Sequence, residues 1–513
     1  MPRTAPAMDI YLDTNATTPV LPQAREAALA AMARDFGNPS STHADGLRAR
    51  ALVEQVRARA RRVLGAPEGR LLFTSGATEG IQTAVLSALV AIRERGAGGL
   101  LLVGATEHKA VPEALRHWNA VLGLGLEIRV IPVDRDGRHD LDWLRTRAAR
   151  AGLVCTMAAN NETGVVSDLD GIADALAGSP ALWLVDGVQA LGKMDLGLAR
   201  RTIDYAPFSG HKLYAPKGIG LLYVRAGAPF TPLLAGGGQE GGARAGTENM
   251  PGIAALGAVL AALEDGDGLC DLATLAGWRD RLAQALRDAF PGLQFNAPPA
   301  ACLPTTLNVW VPGLDPGVLL DAFDAAGLRA SGGSACSAAA AQPSPVLLAM
   351  GVPATQAAAA VRLSFGPACD EAFVDAACAR IRDCGHALRE PAAGEVDLSA
   401  DEVRQMLATR PDAVLVDVRE PAEASADEAL PGHAQRVPLS ALDAALPGWL
   451  ALPATTPVLF CCRSGRRSAQ AARALRRLGR DQAWSLAGGL AGWTAASLPA
   501  VSQLDGSPPP PSA

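Results

Sequence analysis

Between Leu71 and Val224 the short apolar runs LLFTS, LLLVG, LVCTM, LWLVD and IGLLYV alternate with stretches of helical spacing. This alternation predicts a mostly parallel sheet with helices on both faces. Ligands of such sheets sit beyond the C-terminal ends of the strands, so functional residues are sought there.

At 513 residues the chain is too long for one ordinary core, and three or so folding units are expected. Beyond Gly252 the helical pattern IAALGAVLAALEDG and LATLAGWRDRLAQALRDAF leads to strands around TTLNVWV and VRLSFG. That pattern implies a smaller α+β domain, which the N-terminal segment joins. The large α/β domain is placed at about residues 20–255. The smaller one takes the N-terminus and about 256–386, and 387–395 is a linker. A fresh β/α alternation begins with AVLVDVRE and defines a third domain at 396–500. Residues 501–513, with four consecutive prolines, are expected to be an extended, mobile tail.

The net charge of -6, with both signs interleaved, gives no reason to expect direct nucleic-acid binding. The absence of a long apolar run argues against a membrane partner and for a cytoplasmic protein. Nine cysteines scattered without C-x-x-C spacing disfavour a disulfide framework and a structural metal site.

The segment FSGHKLYAPKGIG places Lys212 in a turn before the strand GIGLLYV. Asp186, 26 positions earlier, ends the run LWLVD. An aspartate facing a pyridinium nitrogen keeps it protonated and makes the ring an electron sink, and a lysine amine forms the covalent link to a carbonyl cofactor. In TSGATEG a strand runs into Gly76, Ala77 and Thr78 at a helix start, where N–H groups suit a phosphate. Together these residues point to pyridoxal 5'-phosphate.

Here the chain resembles the cysteine desulfurases of the iron-sulfur-assembly and nitrogen-fixation type, within the class V aminotransferases. The resemblance rests on YLDTNATTPV, FGNPSSTH, FTSGATEG, TEHKAV, NNETGVV, VDGVQALGK, FSGHKLYAPKGIG, GGGQEGGARAGT and SGGSACS, in that order over about residues 9–385. It implies a pyridoxal-phosphate transferase of fold type I, with a large α/β and a small α+β domain. By the same resemblance His108 stacks on the ring, Asn161 and Gln189 serve its phenolic side, and Asp186 holds its nitrogen. Ala77, Thr78, Ser209 and His211 hold the phosphate. Thr247 resembles a residue that reaches the neighbouring subunit's phosphate, which implies a homodimer. Arg362 in AVRLSFG matches the carboxylate-binding arginine, a role for which a planar guanidinium is suited, with Asn161 beside it. One departure is Ala158, where many relatives carry a histidine.

Cys336 lies in RASGGSACSAAAAQPSP, a small-residue segment suited to a loop that moves between substrate and acceptor. The implied reaction takes L-cysteine to alanine. The Lys212 amine removes the α-proton, His108 assists proton transfer, and the Cys336 thiolate takes the sulfur as a persulfide. An aminotransferase would have no need of Cys336. Selenocysteine lyase activity uses the same groups and stays open as an alternative.

The run VLFCCRSGRRSAQAARALRRLG has a strand ending in cysteine, a short loop with Gly465, and a helix from about Ser468. That loop and the arginines 463, 466 and 467 favour an anionic sulfur on Cys462. With LVDVREP before and SLAGGLAGW after, residues 396–497 resemble single-domain rhodaneses, an α/β fold, with Cys462 in the reactive position. Cys461 belongs to the strand and is expected to be buried. The match is weaker from Glu420 to Leu439. The expectation is a relay of sulfur from Cys336 to Cys462 and on to an acceptor protein, an iron-sulfur scaffold or a tRNA- or cofactor-thiolating enzyme. The alternatives are a noncatalytic docking module and, in a related fold, a phosphatase, which the loop from Cys462 to Arg467 disfavours.

Overall fold

A computed structural model describes residues 9–96, 98–314, 316–332, 343–389, 396–419, 434–463, 465–490 and Trp493. The chain divides into two compact units, Met1–Gly385 and His386–Ala513.

The first unit opens with strand β1 (Ile10–Tyr11), followed by β2 (Arg70–Thr74), β3 (Leu100–Gly104), β4 (Glu127–Ile131), β5 (Ala151–Met157), β6 (Leu182–Asp186), β7 (Tyr205–Ser209) and β8 (Gly220–Val224). Strands β2 to β8 form a seven-stranded sheet in the order β2-β8-β7-β6-β5-β3-β4. Only β8 runs against its neighbours. The period of two along each strand sorts side chains to opposite faces. Leu102, Val154, Trp183, Val185 and Phe208 pack with the helices Ala44–Val63 and Met250–Asp265 on one side. Leu101, Val103, Leu153, Cys155 and Leu184 pack with the helices Ala77–Arg95 and Ala110–Val121 on the other. Each fully buried Leu, Ile or Val contributes about 1.5–3 kcal/mol, so the two-sided core drives this unit.

Helix starts follow from local side chains. Asp140, Asp168, Asn249 and Asp271 each accept a backbone N–H three residues on and so cap the helices that follow them.

A four-stranded antiparallel sheet is built from β9 (Gln294–Phe295), β10 (Thr306–Trp310), β12 (Ser331–Gly332) and β13 (Val361–Ser364), in the order β12-β13-β10-β9. Strand β11 (Leu328–Arg329) pairs in parallel with β1, so the N-terminal segment lies beside these strands. The helix Glu371–Arg389 runs three residues into the stretch expected to be linker. The rest of that linker, and the tail at 501–513, lie outside the described residues.

The second unit carries a five-stranded parallel sheet ordered β14-β18-β17-β15-β16: β14 (Asp397–Leu398), β15 (Val414–Asp417), β16 (Gln435–Arg436), β17 (Val458–Cys461) and β18 (Ala483–Leu486). Its helix Ala400–Thr409 starts with a reciprocal capping box between Ser399 and Glu402. Among the described residues no helix is long and apolar enough to cross a membrane.

Candidate active site

Strands β2, β3, β5, β6 and β7 all end at one edge of the large sheet, because β2 and β7 both run antiparallel to β8 and the rest run parallel to β7. That edge receives most of the residues singled out from the sequence. His108 follows β3, Asn161 follows β5, Asp186 ends β6 with Gln189 just beyond, and Ser209 ends β7. His211 and Lys212 lie in the 3-10 turn Gly210–Lys212 after β7. Ala77 and Thr78 open the helix after β2, whose N-terminal residue Gly76 supplies no capping side chain. The first-turn N–H groups there have no intrahelical partner, which favours an anion. Gly220 admits this approach: a Cβ there would lie 2.7 Å from Gly76 Cα.

Asp186 is 4% exposed, and its Oδ1 accepts the Val188 N–H at 2.9 Å. Burial raises its pKa to about 6, although that hydrogen bond and Lys212 oppose the shift. Burial and the neighbouring Lys212 and Lys109 push His108 below its ordinary value. His211 falls to about 4 for the same reasons, with Lys212 and Lys217 adding to burial. Its Nδ1 lies 3.1 Å from Thr17 Oγ1. Both shifts favour the neutral imidazole near pH 7.

The N-terminal segment completes the site. Lys212 Nζ donates to the carbonyls of Asn15 and Ala16, each at 2.6 Å. Thr18 Oγ1 donates to His211 O at 3.1 Å and accepts the Tyr214 N–H at 2.6 Å. Tyr214 has φ 61°, an uncommon left-handed conformation for a large side chain, and its Oη accepts the Ala368 N–H. A methyl group at Gly366 would collide with that hydroxyl.

Arg362, on β13, is 2% exposed. It donates through Nη1 to Asn161 O at 3.0 Å and through Nη2 to Asp13 Oδ1 at 2.6 Å. Its Nε is buried without a hydrogen-bond partner among the described residues, as is Asn15 Oδ1. A buried polar atom without a partner needs an explanation, and a ligand at the site is one. Asn160 and Asn161 divide their work. Asn160 spends its side chain on Thr106 O and on the backbone of Glu162 and Thr163, whereas the Asn161 carbonyl receives Asn15 and Arg362. Ala158, the departure noted above, is fully buried; its side chain is apolar, and its backbone N–H donates to the Asp186 carbonyl at 2.9 Å.

The donor set fits pyridoxal phosphate: an amine, a carboxylate at a strand end, an imidazole, a carboxamide, and a helix N-terminus at Gly76, which packs against Gly220, the β-sheet partner of Ser209. Thr247 is exposed, in the loop preceding the helix at Met250. Cys336 lies outside the described residues.

Four further residues were given no role by the sequence reading. Asp13 and Asn15 belong to the quoted run YLDTNATTPV, whose polar centre between apolar flanks was the available signal. Glu107 accepts the Met157 N–H, and its Oε2 is buried without a hydrogen-bond partner among the described residues. Burial and Asp186 raise its carboxyl well above the usual range. Lys193 is 3% exposed and donates to Gln189 Oε1 at 3.0 Å.

In the second unit Cys461 and Cys462 project to opposite faces of the sheet. Cys461 packs with Val403, Leu415 and Leu459, and Cys462 with Val416, Phe460 and Ala472. Burial, Asp417 and Cys462 push the Cys461 thiol up to about 12. Cys462 Sγ sits 3.5 Å from Ser468 Oγ, and it too is fully buried. The helix begins at Arg466, two residues earlier than expected, because Gly465 at φ 86° turns the chain into it. Arg463 is exposed. The weaker stretch from Glu420 to Leu439 lies outside the described residues as far as 433.

The family description aminotransferase class-V matches residues 10–376, and that of the rhodanese-like domain matches residues 399–496. The chain is 40% identical over 371 residues to cysteine desulfurase 2 of Trichormus variabilis, covering 71% of this chain and 90% of that relative. Among solved structures it is similar to a NifS-like protein, with TM-score 0.66 and 31% identity, over 73% of this chain and 99% of that one. It is also similar to SspA solved in complex with cysteine, with TM-score 0.61 and 27% identity, over 70% and 99% respectively.

Proposed function

Because the chain belongs to the class V aminotransferase family, as a pyridoxal-phosphate-dependent cysteine desulfurase carrying a rhodanese-like domain, we propose that its sulfur passes from L-cysteine to Cys336 and then to Cys462. The observation that carries the first half is the gathering of Lys212, Asp186, Gln189 and His108 at one sheet edge, with Arg362 bonded to the Asn161 carbonyl there.

Bound pyridoxal phosphate supplies an electron sink for charge released at the substrate α-carbon. With the cofactor bound, Asp186 would hold its ring nitrogen, and Arg362 would take the substrate carboxylate through its Nε–H, which has no hydrogen-bond partner among the described residues. Asn161 flanks that carboxylate. With the cofactor bound, Lys212 would be the residue that holds it, and its amine would accept the α-proton. His108 would serve as the neighbouring imidazole that moves protons. Ala77, Thr78, Ser209 and His211 hold the phosphate, and Thr247 serves that of a second subunit in a homodimer.

The Cys336 thiolate attacks the substrate sulfur, so an S–S bond forms as the Cβ–S bond breaks. The electron pair stays with the carbon fragment, which is protonated to alanine. In the relay the Cys462 thiolate attacks the outer sulfur of that persulfide and Cys336 leaves as a thiolate. Tethering two such cysteines on one chain raises their effective concentration. A thiol acceptor on an iron-sulfur scaffold or a thiolating enzyme takes the sulfur last. Eight cysteines among the described residues are free thiols, which suits a reducing cytoplasm.

A second reading makes the rhodanese-like domain a docking module, and the full burial of Cys462 favours it. Incubation with cysteine, followed by mass-spectrometric mapping of persulfides in native, Cys336→Ser and Cys462→Ser proteins, separates the two. The relay requires sulfur on Cys462 that disappears in C336S, with alanine formation retained in C462S. Sulfur on Cys462 that is unchanged in C336S, or absent from the native protein, overturns it.

A further inference from the structure

Lys193 has no part in the roles assigned above, yet almost all of its surface is buried. Burying an amine is costly unless a hydrogen bond compensates. Among the described residues the bond found is to Gln189 Oε1, at 3.0 Å. The same carboxamide donates through Nε2 to Asn15 O at 3.2 Å. That carbonyl also receives Lys212 Nζ at 2.6 Å. The chain of contacts therefore runs from Lys193 through Gln189 to the carbonyl shared with the cofactor lysine.

A carboxamide has a donor end and an acceptor end of nearly equal shape, and its surroundings decide which faces which way. Here both neighbours agree. Lys193 donates, so it holds the carbonyl end; Asn15 O accepts, so it holds the N–H end. Turned over, Gln189 would set its carbonyl against the Asn15 carbonyl and its N–H₂ against a donor. It would then present an acceptor beside Lys212, where the cofactor's phenolic oxygen needs a donor.

We propose that Lys193 is a positioning residue that fixes the orientation of the Gln189 carboxamide, so that Gln189 offers an N–H and never a carbonyl to the cofactor. This rests on the reading that Gln189 meets the phenolic side of pyridoxal phosphate. Lys193 and Gln189 then act as one unit, and their effects on cofactor binding do not multiply.

The test uses the full-length holoenzyme as wild type, Lys193→Met, Lys193→Arg, Gln189→Ala and the K193M/Q189A double variant. The rate of cofactor loss to a trapping apoprotein and the position of the bound cofactor's visible band are measured for each, with alanine formation alongside. Losing one well-directed hydrogen bond predicts a roughly 3- to 10-fold faster loss in K193M and in Q189A, with a shifted band. The double variant should lose cofactor no faster than Q189A, and K193R should stay close to wild type. If Q189A loses cofactor faster and K193M does not, the proposal is overturned while the reading of Gln189 stands. If the two effects multiply in the double variant, Lys193 acts on its own and the proposal is again overturned. If Q189A matches wild type, the reading of Gln189 falls and takes the proposal with it. Should K193M not fold, K193Q replaces it; its amide carries an acceptor as well as donors and no longer dictates which end of Gln189 faces it. Faster loss in K193Q supports the proposal, and loss at the wild-type rate overturns it.

Discussion

Replacing Arg362 by lysine keeps a cation beside Asp13 while removing the planar fork. In the native chain Nη1 and Nη2 are engaged by Asn161 O and Asp13, and Nε–H has no hydrogen-bond partner among the described residues. With the side chain 2% exposed, bulk water screens it little. A hydrogen bond to a charged group contributes about 1.5–3 kcal/mol, and a lysine that stays paired with Asp13 forfeits the one meant for the substrate carboxylate. At about 1.4 kcal/mol per decade this corresponds to a roughly 10- to 150-fold weaker hold on L-cysteine. The informative assay follows the cofactor's absorbance as L-cysteine or cysteamine is added, since cysteamine has the thiol and amine but no carboxylate. R362K should weaken cysteine by that factor, leave cysteamine nearly unchanged, and raise KM more than it lowers kcat. Equal weakening of both ligands would refute the reasoning, because it would mean that Arg362 acts only through its structural pairing with Asp13.

His139 is buried, with neither ring nitrogen bonded among the described residues, and burial lowers its pKa to about 4. The unfolded chain, with an imidazole near 6.5, binds the proton first, so stability is lost as pH falls from about 6.5 toward 4. Between pH 7 and pH 5 this amounts to about 2 kcal/mol. Urea unfolding of the first unit at the two pH values should show that loss shrink by the same amount in His139→Leu; an unchanged loss counts against the assignment. Gly489 has φ 61°, and a Cβ there would run into Cys462 O and Gly465 N. Gly489→Ala should therefore destabilise the second unit by about 1–3 kcal/mol, read as a lower melting temperature of its transition. Alanine formation by the first unit should be unchanged, and an unshifted transition would contradict the predicted collision.

The strands of both units were legible because each is a short apolar run whose neighbours turn to helical spacing. The positions of the candidate residues after strand ends, from His108 to Lys212, were legible with them, since sheets of this kind present their ligands there. Strand order was not, as crossovers leave no local signature; β8 carries nothing in its residues that tells antiparallel from parallel. Contacts distant in sequence were equally hidden. Lys212 meets Asn15 across 197 positions and Arg362 meets Asp13 across 349. Lys193 drew no role from the sequence, because periodicity says nothing about a single lysine drawn inward by a carboxamide.

The placing of Cys461 and Cys462 on opposite sheet faces has a consequence for how a charged rhodanese-like domain unloads. Adjacent α-carbons lie about 3.8 Å apart, closer than the roughly 4.4–6.8 Å that a disulfide spans. Along a strand the two side chains also point away from each other. Were sulfur held on Cys462, its neighbour on the opposite face would be poorly placed to take it up, and a thiol from elsewhere would discharge it. Such a domain would act as a one-cargo carrier that waits for its recipient, with no route to dispose of the load within its own sheet.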